Sequence, residues 1–93
     1  MAEVSVRLPT LLAQVTGGEQ LVPVRAGTVG EALAGLFEVY PQLKVHVLDE
    51  SGMVRPHVAL FLQDKRLRRD QLDAGIGDGD VLTVLQAVSG GRC

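Results

Sequence analysis

The chain has no tryptophan, and phenylalanine and tyrosine together make up only 3% of it. A platform of rings for stacking bases or sugars is therefore excluded, and the core has to be assembled from Val, Leu and Ala. Cysteine is equally scarce: Cys93, the final residue, is the only one. A single thiol excludes an internal disulfide framework and a cysteine-based metal site, and it fits a reducing compartment. Long apolar runs are missing as well, none approaching the roughly 20 residues that a membrane helix needs. The opening Met1-Ala2-Glu3 has no basic stretch leading into a long apolar run, so no secretion signal is expected and a soluble, cytoplasmic protein is. Nor is there an excess of positive charge: nine Lys and Arg face eleven Asp and Glu, a formal net charge of −2. That balance gives no field to attract a nucleic-acid backbone. Neither nucleic acid nor membrane is expected as a partner.

What remains is a packable chain of 93 residues, 46% of them hydrophobic, enough for one core and too few for two. Val4-Ser5-Val6-Arg7-Leu8 alternates apolar and polar residues, the mark of a strand with one buried face, and Pro9 ends it. A loop is expected through Thr16-Gly17-Gly18-Glu19, where paired glycines permit a tight reversal. Leu21-Val22-Pro23-Val24 reads as the returning strand, with Pro23 suiting an edge position. Thr28-Val29-Gly30-Glu31 has capping-box spacing: the Thr28 hydroxyl accepts from the Glu31 amide while the Glu31 carboxylate reaches back. The helix that follows carries Val29, Leu33, Leu36, Phe37 and Tyr40 on one stripe, and Pro41 stops it or begins its last turn.

Lys44 to Leu48 reads equally as strand or helical turn, and Asp49-Glu50-Ser51-Gly52 is a turn cluster. His57-Val58-Ala59-Leu60-Phe61-Leu62 is nearly all apolar and reads as a central strand. Asp64-Lys65-Arg66 turns into a short edge strand near Leu67, and Gln71 to Gly79 is a connection. Asp78-Gly79-Asp80 then leads into a last strand, Val81-Leu82-Thr83-Val84-Leu85, ending near Ala87 or Val88. A hairpin, one long helix and further strands predict an α+β domain with the helix on one sheet face. The ubiquitin-like β-grasp fits this order, with a mixed four- to five-stranded sheet and one main helix. A ferredoxin-like domain would need a second helix of comparable length, for which the glycines at 75, 77 and 79 are unsuited. Residues 1–88 are expected to form the domain and residues 89–93 a flexible tail.

That tail, Ser89-Gly90-Gly91-Arg92-Cys93, carries the chemistry. Glycine tolerates close backbone approach on every side, so a Gly-Gly end can thread into the narrow channel of an activating enzyme. Adenylation there converts a carboxylate, a poor electrophile, into an acyl phosphate that a sulfur nucleophile attacks, leaving a thiocarboxylate. A glycine pair alone is common in loops; here it follows a last strand, on a domain-sized chain, after a β-grasp-like order of elements. Elsewhere the residues are quiet. His46 and His57 have no third ligand at a useful spacing for zinc. Gly27-Thr28-Val29-Gly30 lacks the lysine of a phosphate-binding loop. No catalytic residue, metal site or bound cofactor is assigned to the chain.

Several segments together resemble the ThiS/MoaD family of bacterial ubiquitin-like sulfur carriers, and most nearly its cysteine-biosynthesis branch. They are Val6-Arg7-Leu8-Pro9-Thr10-Leu11-Leu12, Thr16-Gly17-Gly18, Leu48-Asp49-Glu50-Ser51-Gly52 with Arg55, Asp78-Gly79-Asp80-Val81, and Ala87-Val88-Ser89-Gly90-Gly91. The resemblance implies a protein cosubstrate rather than an enzyme. A ubiquitin-activating-type adenylyltransferase would use ATP and Mg²⁺ to adenylate Gly91, and a sulfur donor would convert the adenylate to the thiocarboxylate. A sulfur-accepting synthase would receive the sulfur; in the cysteine branch this is a pyridoxal-phosphate enzyme, and a JAMM-type zinc protease releases the product. Family carriers end at Gly-Gly, whereas here Gly91 is amide-linked to Arg92. Arg92-Cys93 is therefore expected to be a removable dipeptide, cut off by a JAMM-type protease as in other extended members. Cys93 as an incidental thiol or a direct sulfur carrier is the alternative. Other functions compatible with the resemblance are the small subunit of a molybdopterin-synthase-type enzyme and a protein modifier forming isopeptides through Gly91. An orphan interaction domain is the bland alternative.

Strand alternation also predicts a partner surface. With Val58, Leu60, Leu62, Leu82 and Val84 pointing inward, Ala59, Phe61, Val81, Thr83 and Leu85 point outward. Ala59, Phe61, Thr83, Leu85 and Val88 would form an apolar patch leading into the tail, the expected docking site for activating and acceptor enzymes. Arg55, Arg66, Arg68 and Arg69 are candidates for its polar rim, solvated surface charge being the default reading.

Overall fold

The computed structural model describes residues 2–68 and 71–86. Strands β1 (Ala2–Arg7) and β2 (Leu21–Ala26) form the expected antiparallel hairpin, with Val4 opposite Val24 and Val6 opposite Val22. Pro23 lies on β2, at the sheet edge. The stretch between them is not all loop: Thr10–Ala13 coils into a short helix, α1. One turn there buries Leu12 and Ala13, too brief a segment for periodicity to mark. Gly17 and Gly18 then reverse the chain at φ 75° and 102°, where a Cβ would be strained.

Helix α2 (Val29–Val39) starts as its sequence dictates: the Thr28 hydroxyl accepts from the Glu31 amide at 3.2 Å. The Glu31 carboxylate reaches one residue further back than the capping box prescribes, accepting from the Gly27 amide at 2.8 Å. Two more helix-start amides find carbonyls in the 71–76 connection, Val29 on Ala74 at 2.9 Å and Gly30 on Leu72 at 2.7 Å. The connection therefore closes the start of the helix, whose first amides would otherwise have no partner. Val29, Leu33 and Leu36 are buried, and Phe37 and Tyr40 are half-buried against the same core. Pro41 opens a 3₁₀ turn (Pro41–Leu43) that runs into α3 (Lys44–Val47). The ambiguous stretch is thus helical, because that spacing buries Leu43 and Val47 together.

Strands β3 (Val58–Leu62), β4 (Lys65–Leu67) and β5 (Val81–Gln86) complete the sheet. Among the described residues the order is β2-β1-β5-β3-β4, mixed because β5 runs parallel to β1 and antiparallel to β3. The middle position belongs to β5; β3, expected to be central, is interior but one place off it. Asp78-Gly79-Asp80 sets the parallel pairing. The Asp78 carboxylate accepts from the Glu3 amide at 2.7 Å, the Gly79 amide donates to the Glu3 carbonyl at 2.9 Å, and the Asp80 carbonyl accepts from the Ser5 amide at 3.1 Å. β5 thus begins already docked along β1. Helix α2 packs on β1 and β2, and the core between them includes Val6, Leu33, Leu36, Leu82 and Val84. No second long helix lies between β4 and β5 among the described residues, which separates the fold from the ferredoxin-like alternative.

Candidate functional site

The sheet face away from α2 is the surface that leads to the tail. Register fixes which side chains share it, because residues directly opposite on neighbouring strands point the same way. Thr83 of β5 lies opposite Arg7 on one side and Phe61 of β3 on the other. Phe61 in turn lies opposite Arg66 of β4, and Arg7 opposite Leu21 of β2. One row thus crosses the whole sheet: Leu21, Arg7, Thr83, Phe61, Arg66. A second pair, Ala59 opposite Leu85, stands nearer the end of β5. The inward set is buried as expected, with Val58, Leu60, Leu82 and Val84 at 4% exposure or less and Leu62 half-buried.

Leu85 is 44% exposed, whereas Ala59, Phe61, Val81 and Thr83 are half-buried. Phe61, expected to be exposed, is partly shielded because a ring of that size lies between occupied positions on both neighbouring strands. The last register pair, Gln86 with Val58, places the exit of the tail at the Leu85–Ala59 end of this face. Val88, Gly90, Gly91, Arg92 and Cys93 lie outside the described residues, as does Arg69.

The expected arginine rim is corrected in two ways. Arg55 belongs elsewhere, its Nε donating to the Val45 carbonyl at 2.8 Å and its amide to the Val47 carbonyl at 2.9 Å, so it holds α3 in place. Arg7, by contrast, is on the face, beside Thr83. Its alternation within Val4-Ser5-Val6-Arg7-Leu8 placed it outward, but only the β1–β5 pairing reveals its neighbour. Arg66 and Arg68 line a groove beside Val58 and Ala59, along the part of β3 that the short β4 leaves uncovered. Gln63 is a second residue that sequence reading missed. It sits at φ 58°, and its side-chain oxygen accepts from the Val81 amide at 2.6 Å, tying the end of β3 to the start of β5.

His46 and His57 are exposed on α3 and before β3. No cluster of metal-ligating side chains is present among the described residues, and none of their helices is long and apolar enough to cross a membrane. An apolar groove on the opposite side is lined by Leu33, Phe37, Pro41 and Leu72, with Glu38 and Lys44 also in its wall. What the described residues present is an outward sheet face on β1, β3, β4 and β5, the last strand before the tail.

Comparison with known proteins agrees with this geometry. The model of the ThiS family matches residues 6–91, from the first strand through the second tail glycine. The chain belongs to the ThiS family. It is 33% identical over 91 residues to the sulfur carrier protein CysO of Mycobacterium tuberculosis, covering 95% of this chain and 98% of that one. Among solved structures, the Amycolatopsis orientalis BexX/CysO complex contains a chain that superposes with a TM-score of 0.85 and 32% identity, over 94% of this chain and 98% of its own length. SAMP1 from Haloferax volcanii superposes with a TM-score of 0.84 and 27% identity, over 96% and 99%. This ThiS-family chain therefore resembles CysO-type sulfur carriers over nearly its whole length, and its fold is the ubiquitin-like β-grasp.

Proposed function

We propose that this ThiS-family protein is the precursor of a sulfur carrier, consumed and regenerated as a protein cosubstrate of other enzymes. A JAMM-type zinc protease hydrolyses the Gly91–Arg92 peptide bond, releasing Arg92-Cys93 and a free Gly91 carboxylate. That carboxylate attacks the α-phosphorus of Mg-ATP bound to a ubiquitin-activating-type adenylyltransferase, giving the acyl adenylate and pyrophosphate. Sulfide then adds to the Gly91 carbonyl carbon, the bond to AMP breaks, and the thiocarboxylate remains. A sulfur-accepting synthase takes the sulfur onward, in the biosynthesis of cysteine or of another sulfur-containing metabolite. Zinc, ATP and Mg²⁺ belong to the partner enzymes.

The observation that carries this reading is the Gly90-Gly91 pair, placed just after β5 and included in the ThiS-family match. Fully extended, the five residues from Ala87 to Gly91 reach about 17 Å beyond Gln86, enough to enter an active site while the domain stays outside. Ala59, Phe61, Thr83, Leu85 and Val88 serve as the docking surface beside that exit. The CysO of Amycolatopsis orientalis forms a complex with BexX, which supports recognition by a protein partner.

The test is to supply the adenylyltransferase, Mg-ATP and sulfide to the full chain and to a version ending at Gly91. Intact mass should show the oxygen-to-sulfur exchange in the shortened chain and no change in the full one. A thiocarboxylate formed with Arg92-Cys93 still attached would overturn the precursor reading. Likeness to SAMP1, a small archaeal modifier protein, favours a second reading in which Gly91 forms isopeptides with target lysines. Gly-Gly remnants on lysines of other proteins, dependent on this chain, would establish it.

A further inference from the structure

The docking face has a charge opposite in sign to that of the whole molecule. The chain carries a formal −2, yet the outward positions of the five strands hold Arg7, Arg25 and Arg66 against Glu3 alone. Glu3 is already engaged by Arg25 at 3.3 Å. Among the described residues Arg7 and Arg66 have no ion-pair partner. Asp64, in the β3–β4 turn, lines the same depression as Arg7 without forming an ion pair with it. The two arginines stand at either end of the Arg7-Thr83-Phe61-Arg66 row, so they bracket the apolar strip that Leu85 and Ala59 extend towards the tail.

From this we infer that the protein docking on this face presents an apolar socket flanked by carboxylates, and that Arg7 and Arg66 set partner choice and encounter rate. The inference rests on the docking role assigned to this face above. Two guanidiniums spaced across the sheet match two separated carboxylates, whereas the rest of the chain carries the molecule's net negative charge. Rim charges of this kind act mainly on association rate and its salt dependence. A partner with a basic socket would meet like charge at both ends of the row.

The test measures association of the full chain with the adenylyltransferase from low to high salt, for wild type, Arg7→Glu, Arg66→Glu, the double variant and Lys44→Glu on α3. The double variant should associate about tenfold more slowly or worse at low salt, with a flatter salt dependence. Lys44→Glu and the charge-keeping Arg7→Lys/Arg66→Lys pair should follow wild type. Wild-type rates in the double variant, or an equal loss in Lys44→Glu, would overturn the inference. So would binding to phosphatidylglycerol vesicles or polyuridylate as tight as to the enzyme. Leu85→Asp separates the two levels. If it abolishes binding while the arginine variants bind normally, the docking face stands and the charge inference falls. If wild type binds the enzyme neither as the full chain nor as the version ending at Gly91, both fall.

Discussion

Thr28 and Gly79 show how single residues set the frame that holds the tail. The Thr28 hydroxyl closes the start of α2, so Thr28→Ala should cost about 1 kcal/mol, read as a lower urea midpoint with an unchanged slope. Gly79 sits at φ 81° with its amide on the Glu3 carbonyl. Gly79→Ala must push an L-residue into the left-handed region and should cost about 1–2 kcal/mol, measured in the same way. The two differ in how far the sequence reveals them. Thr28 and Glu31 are three positions apart, so spacing alone exposes the cap. Asp78-Gly79-Asp80 reads as a turn, but its partners Glu3 and Ser5 lie more than seventy positions away, and no local pattern points to them. Gln63 is hidden for the same reason, its partner Val81 being on another strand.

At the scale of elements, β5 alternates between buried core and outward face residue by residue. Leu82 is fully buried and Leu85 is 44% exposed on the opposite face. Leu82→Ala should cost about 3 kcal/mol by leaving a cavity, whereas Leu85→Ala should cost less than about 1 kcal/mol. Binding to the adenylyltransferase should respond in the reverse order, Leu85→Ala weakening it about tenfold; calorimetric titration beside a thermal melt separates the two. Period-two alternation made these faces legible, because it depends only on neighbouring residues. It did not disclose which strands lie side by side. Arg7 was therefore missed as a neighbour of Thr83, and Arg55 was counted into a rim it does not join, since its contact is with α3. The brief helices α1 and α3 escaped or stayed ambiguous because four residues hold too little periodicity to register.

The molecule as a whole is a five-stranded sheet with α2 on one face, and β5 is the strand from which the chain continues to the glycine pair. Its tail issues from the middle strand, held by β1 on one side and β3 on the other. The parallel alignment of β1 with β5 has a mechanical consequence. Tension applied at Ala2 and at Gln86 draws the two strands past each other lengthwise, so their rungs share the load and fail together. Tension across the antiparallel β3–β4 hairpin opens one rung at a time. Single-molecule pulling should therefore record a higher rupture force between residues 2 and 86 than across the hairpin. An enzyme that grips and tugs the glycine end meets resistance along the grain of the sheet.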